Sequence, residues 1–393
     1  MSPGQGPKAV FALQRRERII ERLRAEGSVA IREIAAEFGV SDLTIRRDVT
    51  ALEDQGLVSR VHGGAVLPQP SNAHSPASGS RRPALVIGMV VPSLDYYWPE
   101  IIRGARNEAA TMNLRIIVRG SLYDAEDNQR QVQALLDTQN IDGLIVAPST
   151  AGEAGHDLLR WLNTLPVPVV LAERRSPVAI PAHRLEWVAT DHAFGAGMAV
   201  RHLWQQGHKN IGCISDSTSP TSKHVVRGWR LALSALGMDP DKAVHRDSAA
   251  GGEDRASHFD DILSLCAATE TTGLLIHSDV QAVAFVQHCV DRGIDIPGSL
   301  AVVGYDDEVA YLAEPAISAV RAPKQHVGRH AVQLISARLS DGPRRPVHRV
   351  ELNPDLIIRD SSVSAPGPSH ARLPKSAATE RSEASHLPKE PER

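Results

Sequence analysis

The chain has 393 residues, enough for two or three domains at roughly 150 residues each. Hydrophobic residues make up 42% and charged residues 23%, and 43 Lys+Arg against 46 Asp+Glu leave a formal net charge of −3, which excludes a globally basic nucleic-acid coat but not a local basic surface. The three cysteines, Cys213, Cys266 and Cys289, form no CxxC pair, no apolar run approaches the roughly 20 residues that span a bilayer, and the N-terminal MSPGQGPKAVFALQRRERII lacks the apolar core of a secretory signal, so a cytoplasmic protein without disulfides or membrane contact is expected.

The first folded segment is expected over residues 11–67. A helix is predicted from Gln14 to Ala25, with Ile19, Ile20 and Leu23 as its apolar stripe and Gly27 just past its end. A second covers Ile31–Phe38. Gly39 and Val40 turn the chain, Ser41 stands where an N-cap is wanted, and a third helix runs to Gln55, stopped by Gly56. Extended runs over 57–60 and 65–67, joined through His62-Gly63-Gly64, complete the layout of a winged helix-turn-helix. On the third helix Ile45, Val49 and Leu52 fall within about 60° of one another at 100° per residue, so they form the buried stripe. Arg47 then points away from it, flanked by Thr44, Arg46 and Thr50. A guanidinium can take guanine O6 and N7 together, and the free N–H groups at Ser41 suit a phosphate. Arg60 and His62 on the wing are placed to reach backbone or minor groove. On spacing alone an Arg-Arg pair such as Arg46-Arg47 is more often just a solvated face, and residues 1–67 hold ten Lys+Arg against nine Asp+Glu.

Residues 68–83, PQPSNAHSPASGSRRP, have almost nothing to bury and are expected to be a flexible linker with an r.m.s. span of roughly 20–24 Å and no hinge helix. From 84 to 361 the pattern changes. Apolar runs recur at 85–91, 114–118, 143–148, 167–172, 210–215, 273–278 and 300–306. Amphipathic stretches separate most of them, at 98–111, 127–138, 192–206, 222–236, 280–292 and 324–340. This predicts parallel sheets covered by helices on both faces, an α/β architecture in two lobes with a ligand cleft beyond the strand carboxyl ends. Residues 362–393 are predicted to be a disordered tail. No P-loop, GxSxG elbow or HExxH is present, and Gly195-Ala-Gly197 is a helix-start pair rather than a dinucleotide fingerprint, so no cofactor, metal or catalytic constellation is expected.

Residues 15–67 resemble the DNA-binding domain of the DeoR family. The resemblance is carried by VSDLTIRRD (40–48), LEDQGLVSR (52–60) and HGGA (62–65), and it implies that Ser41, Thr44, Arg46 and Arg47 face DNA. Residues 85–360 instead resemble the effector domain of the LacI/GalR regulators, with its periplasmic-binding-protein fold. The carrying text is IGMVVPSLDYYWPEIIRGA (87–105), DGLIVAPS (142–149), VPVVLAERR (167–175), ATDHAFGAGMAVRHLWQQGHKNIGCIS (189–215), RGWRLAL (227–233) and LAVVGYDD (300–307). Position by position, this resemblance implies that Tyr97 and Trp98 stack on an effector, that Asp95 is polar beside them, that Glu173 and Arg174 replace an Asp-Arg pair, and that Asp279 and Asp306 are acids at strand ends. Lys223 stands where an Arg is common, Ser278 where an Asn usually precedes the Asp, and Ala322 at a place often polar. Stacking on sugar C–H faces and acceptance from hydroxyls fit these residue types. Read from residues alone, Tyr97 and Trp98 are equally core aromatics, and Asp307 is a solvated loop residue or helix cap. The expected protein is a homodimeric transcription factor, a repressor of carbohydrate genes. It binds a double-stranded operator with an affinity set by a sugar-like effector. The alternative is an enzyme that processes a sugar or nucleoside in the same cleft.

Overall fold

The computed structural model describes residues 15–16, 18–20, 22–23, 27–54, 58–61, 64–66, 85–177, 180, 184–248 and 255–363. The chain divides into two units, Met1–Ala84 and Leu85–Arg393.

In the first unit the described helical residues 15–16, 18–20 and 22–23 belong to α1. Then come β1 (Ser28–Ala30), α2 (Ile31–Phe38), α3 (Asp42–Asp54), β2 (Ser59–Val61) and β3 (Gly64–Val66). Ile19, Leu23, Ile34, Ile45 and Leu52 are fully buried together, the packed core expected of three apolar helix stripes. The wing differs from expectation by one strand: β3 pairs antiparallel with both β2 and β1. Gly64 makes this possible, because a Cβ there would lie 2.3 Å from the carbonyl oxygen of Val29. The expected linker, with its absent hinge helix, lies outside the described residues.

The second unit has two lobes. In lobe 1, β4 (Leu85–Val91), β5 (Leu114–Gly120), β6 (Gly143–Val146), β7 (Val169–Ala172), β8 (Glu186–Thr190) and β14 (Arg349–Leu352) form an all-parallel sheet in the order β14-β8-β7-β6-β4-β5. Its helices are α4 (Trp98–Thr111), α5 (Ala125–Thr138), α6 (Gly152–Leu162) and α11 (Lys324–Asp341). Two apolar layers sandwich the sheet. Helices α4 and α11 touch backbone to backbone: a Cβ on Gly104 or Gly328 would sit 2.0 Å from the carbonyl oxygen of Gln325 or Ile101.

Lobe 2 repeats the plan with β9 (Ile211–Ser215), β10 (His245–Asp247), β11 (Gly273–Ile276), β12 (Ala301–Tyr305), β13 (Ser318–Arg321) and β15 (Asp355–Ile357), in the order β10-β9-β11-β12-β13-β15. Only β15 runs antiparallel in this sheet. Helices α7 (His192–Gln205), α8 (Ser222–Ala235), α9 (Arg255–Ala268) and α10 (Asp279–Asp291) cover both faces. The chain passes between lobes three times, after β8, after β13 and between β14 and β15. No helix among the described residues is long and apolar enough to cross a membrane.

The expected start of a disordered tail at residue 362 is corrected. Asp360–Ser362 form a 3-10 turn in which Ser361 and Ser362 are fully buried. Ser361 Oγ donates to the Val302 carbonyl at 2.6 Å, and Ser362 Oγ lies 2.7 Å from both Ser318 Oγ and His202 Nε2. Small hydroxyl side chains fit there because each meets a partner.

Candidate functional site: a reading helix and an interlobe cleft

On the first unit, Ser41 caps α3: its Oγ accepts from the Thr44 amide at 3.2 Å and lies 2.9 Å from Thr44 Oγ1. Ile45, Val49 and Leu52 are buried, while Arg46 and Arg47 are exposed with no ion pair among the described residues. The reason is Asp48. It is 2% exposed and binds Arg15 at 2.9 Å and Arg16 at 3.1 Å, so the acid beside the exposed arginines is spent on anchoring α1. Sequence reasoning missed this role; the signal was the acid on the buried side of an otherwise basic turn. The Arg60 side chain and His62 lie outside the described residues.

In the second unit a cavity of about 800 Å3 lies between the lobes. Lobe 1 supplies Tyr123, Ser149 and Thr150, and lobe 2 supplies Ser215, the loop Ser217–Pro220, Ser222, Lys223 and Arg227. A smaller cavity of about 230 Å3 shares Thr150, Pro220 and Lys223 with it and is lined by Glu173, Arg174, Arg175, Ser176, Thr190 and His192. Both lie beyond the carboxyl ends of the strands, where ligands of open parallel sheets bind.

Of the eight residues expected at the effector site, Glu173, Arg174 and Lys223 line these cavities. Tyr97 stands behind Glu173, donating its hydroxyl to Oε1 at 2.9 Å. Glu173 also accepts from the Thr190 amide at 2.9 Å and the Thr190 hydroxyl at 2.7 Å, and His192 Nε2 lies 3.4 Å away. Burial alone would raise the Glu173 pKa; His192 and Thr190 outweigh it and hold the carboxyl at about 2. Asp306 receives the Tyr96 hydroxyl at 3.3 Å, and its backbone carbonyl accepts from Lys324 Nζ at 2.7 Å. Asp95 is buried at the start of this group.

Two of the expected effector contacts are corrected. Trp98 is 2% exposed and packs in the lobe 1 core. The face offered to a ligand is instead covered by the Arg174 guanidinium, centred 5.7 Å from the Trp98 ring and 5.9 Å from the Tyr123 ring. Asp279 is fully buried and both its oxygens are taken. Oδ1 receives the Tyr96 hydroxyl, and Oδ2 accepts from the amides of Glu308, Val309 and Ala310 at 2.6, 2.7 and 3.0 Å. It caps the turn after β12 and holds Tyr96 across the cleft. Asp307 is likewise no solvated loop residue: its side chain is wholly buried, paired with Arg321 at 2.6 Å and Arg359 at 2.7 Å.

Sequence reasoning missed Tyr96, Tyr123, Thr190, His192 and Lys324. Tyr96, Glu173 and Asp306 adopt positive φ values of 56°, 55° and 91°, a conformation that non-glycine residues keep only where the surroundings over-determine it. Burial, with Asp306 and Asp279 beside it, pushes the Tyr96 hydroxyl pKa far up, so it stays a donor. No cluster of His, Cys, Asp and Glu among the described residues is arranged to hold a metal.

Comparison with known proteins agrees with both units. A DeoR-like helix-turn-helix domain profile matches residues 15–71, and a periplasmic binding protein-like domain profile matches 200–362. The HTH-type transcriptional regulator DegA of Bacillus subtilis is 23% identical over 82% of this chain and 90% of its own length. The HTH-type transcriptional repressor CytR of Escherichia coli is 26% identical over 87% of this chain and 99% of its own. Among solved structures, the transcriptional regulator CelR in complex with cellobiose superimposes with a TM-score of 0.58 at 22% identity, covering 82% of this chain and 91% of that one. A LacI family regulator from Enterococcus faecium with bound ribose gives a TM-score of 0.54 at 20% identity, covering 71% and 99%. The chain therefore joins a DeoR-like helix-turn-helix domain to a periplasmic binding protein-like effector domain, and it is a ligand-responsive HTH-type transcriptional regulator.

Proposed function

We propose that this protein represses genes of carbohydrate uptake or catabolism from the cytoplasm. It reads a double-stranded operator as a homodimer, and a small sugar-like effector between the lobes of residues 84–361 changes its operator affinity. The observation that carries this reading is the 800 Å3 interlobe cavity with a hydroxyl-rich wall, Ser215, Ser217, Thr218, Ser219 and Ser222. Hydroxyls that both donate and accept suit a polyol. The cellobiose and ribose held by two structural neighbours support the same ligand class. Within this reading Glu173, Arg174 and Lys223 touch the effector. Tyr97, Asp95 and Asp306 form the polar layer behind them, and Trp98 and Asp279 support that layer. Ser41, Thr44, Arg46 and Arg47 meet DNA, with Arg60 and His62 on the wing.

The test is a thermal-shift panel of pentoses, hexoses and polyols on the full chain, followed by operator binding with and without each hit. A ligand at 100 times its Kd adds roughly 2.7 kcal/mol of stability, and a true effector also shifts operator affinity. A stabilising sugar that leaves operator affinity unmoved would sink the repressor reading. Conversion of the sugar on incubation would favour an enzyme; recovery of the unchanged sugar is expected.

A further inference from the structure

The smaller cavity is short of acceptors. Arg174 Nε, Arg175 Nε and Ser176 Oγ are all buried without a hydrogen-bond partner, and all three residues line that cavity. Arg174 is only 7% exposed. Its Nη1 donates to the Glu173 carbonyl at 2.8 Å, which orients the guanidinium without neutralising it. A buried donor left unmet costs the full desolvation of the group, so three in consecutive residues mark a place where an acceptor is missing.

Apart from Glu173, the charge around the two cavities is positive. Lys223 and Arg227 line the larger one, with no acidic partner for either among the described residues. Arg230 and Arg175 are paired outward, with Asp241 and with Glu351. The single carboxylate facing either cavity is Glu173, already bound to Tyr97, Thr190 and His192. The amino end of α8 opens into the same space at Ser222 and adds the positive end of its dipole. His224, in the wall of the smaller cavity, feels this field: burial, then Arg175, His192, Lys223 and Arg227, push its pKa down to about 4.

We infer that the effector carries an anionic group, a phosphate or a carboxylate, seated between Arg174–Ser176 and Lys223 while its hydroxyls meet the serine-rich loop. This rests on the reading that the cleft takes a sugar-like effector, and it names the class of sugar. Charge-assisted hydrogen bonds to such a group are roughly twice as strong as neutral ones.

The test is calorimetric titration of the full chain with pentoses and hexoses, each as neutral sugar, sugar phosphate and sugar acid, and with inorganic phosphate alone. A charged member should bind at least about tenfold tighter than its neutral parent. Preference for the phosphate or for the acid identifies the source of the charge. Lys223→Met and Arg227→Met, both at exposed positions, should each erode that preference without loss of fold, and Arg174→Lys should erode it further by removing the fork. Neutral sugars binding as tightly as charged ones would overturn the anion while leaving the sugar-responsive reading in place. Silence across the whole panel would overturn both. A charge preference that survives all three substitutions would show that the anion sits elsewhere, which also overturns the proposal.

Discussion

The two units use one arrangement in opposite ways. Each sets an arginine beside a buried acid: Arg47 before Asp48 on α3, and Glu173 before Arg174 after β7. In both, the acid faces inward and is consumed by its own unit, Asp48 by Arg15 and Arg16 and Glu173 by Tyr97, Thr190 and His192. The neighbouring arginine is thereby left without an ion pair among the described residues. The difference is solvation. Arg47 is exposed, so water satisfies it at no penalty, and any charge interaction it makes is screened by salt. Arg174 is buried with an unmet N–H, so the protein carries the desolvation cost of that group. An exposed charge suits a long polymer; a buried one suits discrimination among small molecules.

The strongest way to break this comparison is to remove the platform under Arg174. Trp98→Ala should destabilise the effector unit by about 3–5 kcal/mol, a core cavity of the usual size, and abolish the ligand-induced shift; calorimetric melting checks both. Asp48→Ala attacks the corresponding support in the other unit. With Arg15 and Arg16 left without their buried acid, the head should lose about 3 kcal/mol. Operator binding should fall while the sugar-induced shift of the effector unit stays.

Glu173→Gln tests the chemistry of the acid itself. Its carboxyl titrates at about 2 in the folded state against an ordinary value of 4.5. The stabilisation is therefore complete above about pH 4.5 and is lost as pH falls through 2. Between those limits the Gln variant should show a flatter melting profile than the parent, and at neutral pH it should be less stable by a few kcal/mol. The smallest effect belongs to the exposed arginine. Arg47→Ala should cost about 1–3 kcal/mol of specific operator binding with an unchanged melting temperature; a mobility-shift titration separates this from no effect.

Much of the fold was legible in the sequence because burial on both faces writes continuous apolar runs. Strand β4 and helices α2 and α4 fall on their predicted residues. What escaped lacked that signature. Strand β8, EWVAT, opens on a glutamate whose buried carboxylate is held by Arg338 and Arg345. Strand β14, RVEL, is an edge whose side chains are only half buried. Strands β13, SAVR, and β10, HRD, carry polar or charged residues where a continuous apolar run would have marked them. Helix α6 begins GEAG, without an apolar stripe in its first turn.

At the site, the residue types after strand ends were readable, but their use was not. Tyr96 meets Asp279 across 183 positions, and no local pattern records such a pairing. Trp98 was legible as an aromatic at the right place. Whether its face met ligand or Arg174 depended on how β7 turns at Glu173, whose φ is 55°.

The three passages of the chain between lobes bear on how the protein is made. Lobe 1 is the first part of the effector unit to leave the ribosome, yet its sheet is completed only when β14 follows at Arg349–Leu352. Helix α4 emerges early, yet its packing partner α11 follows on the order of 200 residues later, after nearly all of lobe 2. At synthesis rates of about 5–20 residues per second, that is a wait of roughly 10–40 s. Throughout it Ile101, Ala105 and the glycine seam at Gly104 have no helix against them. The nascent chain thus presents a half-built apolar face for a long interval, regardless of how stable the completed fold becomes.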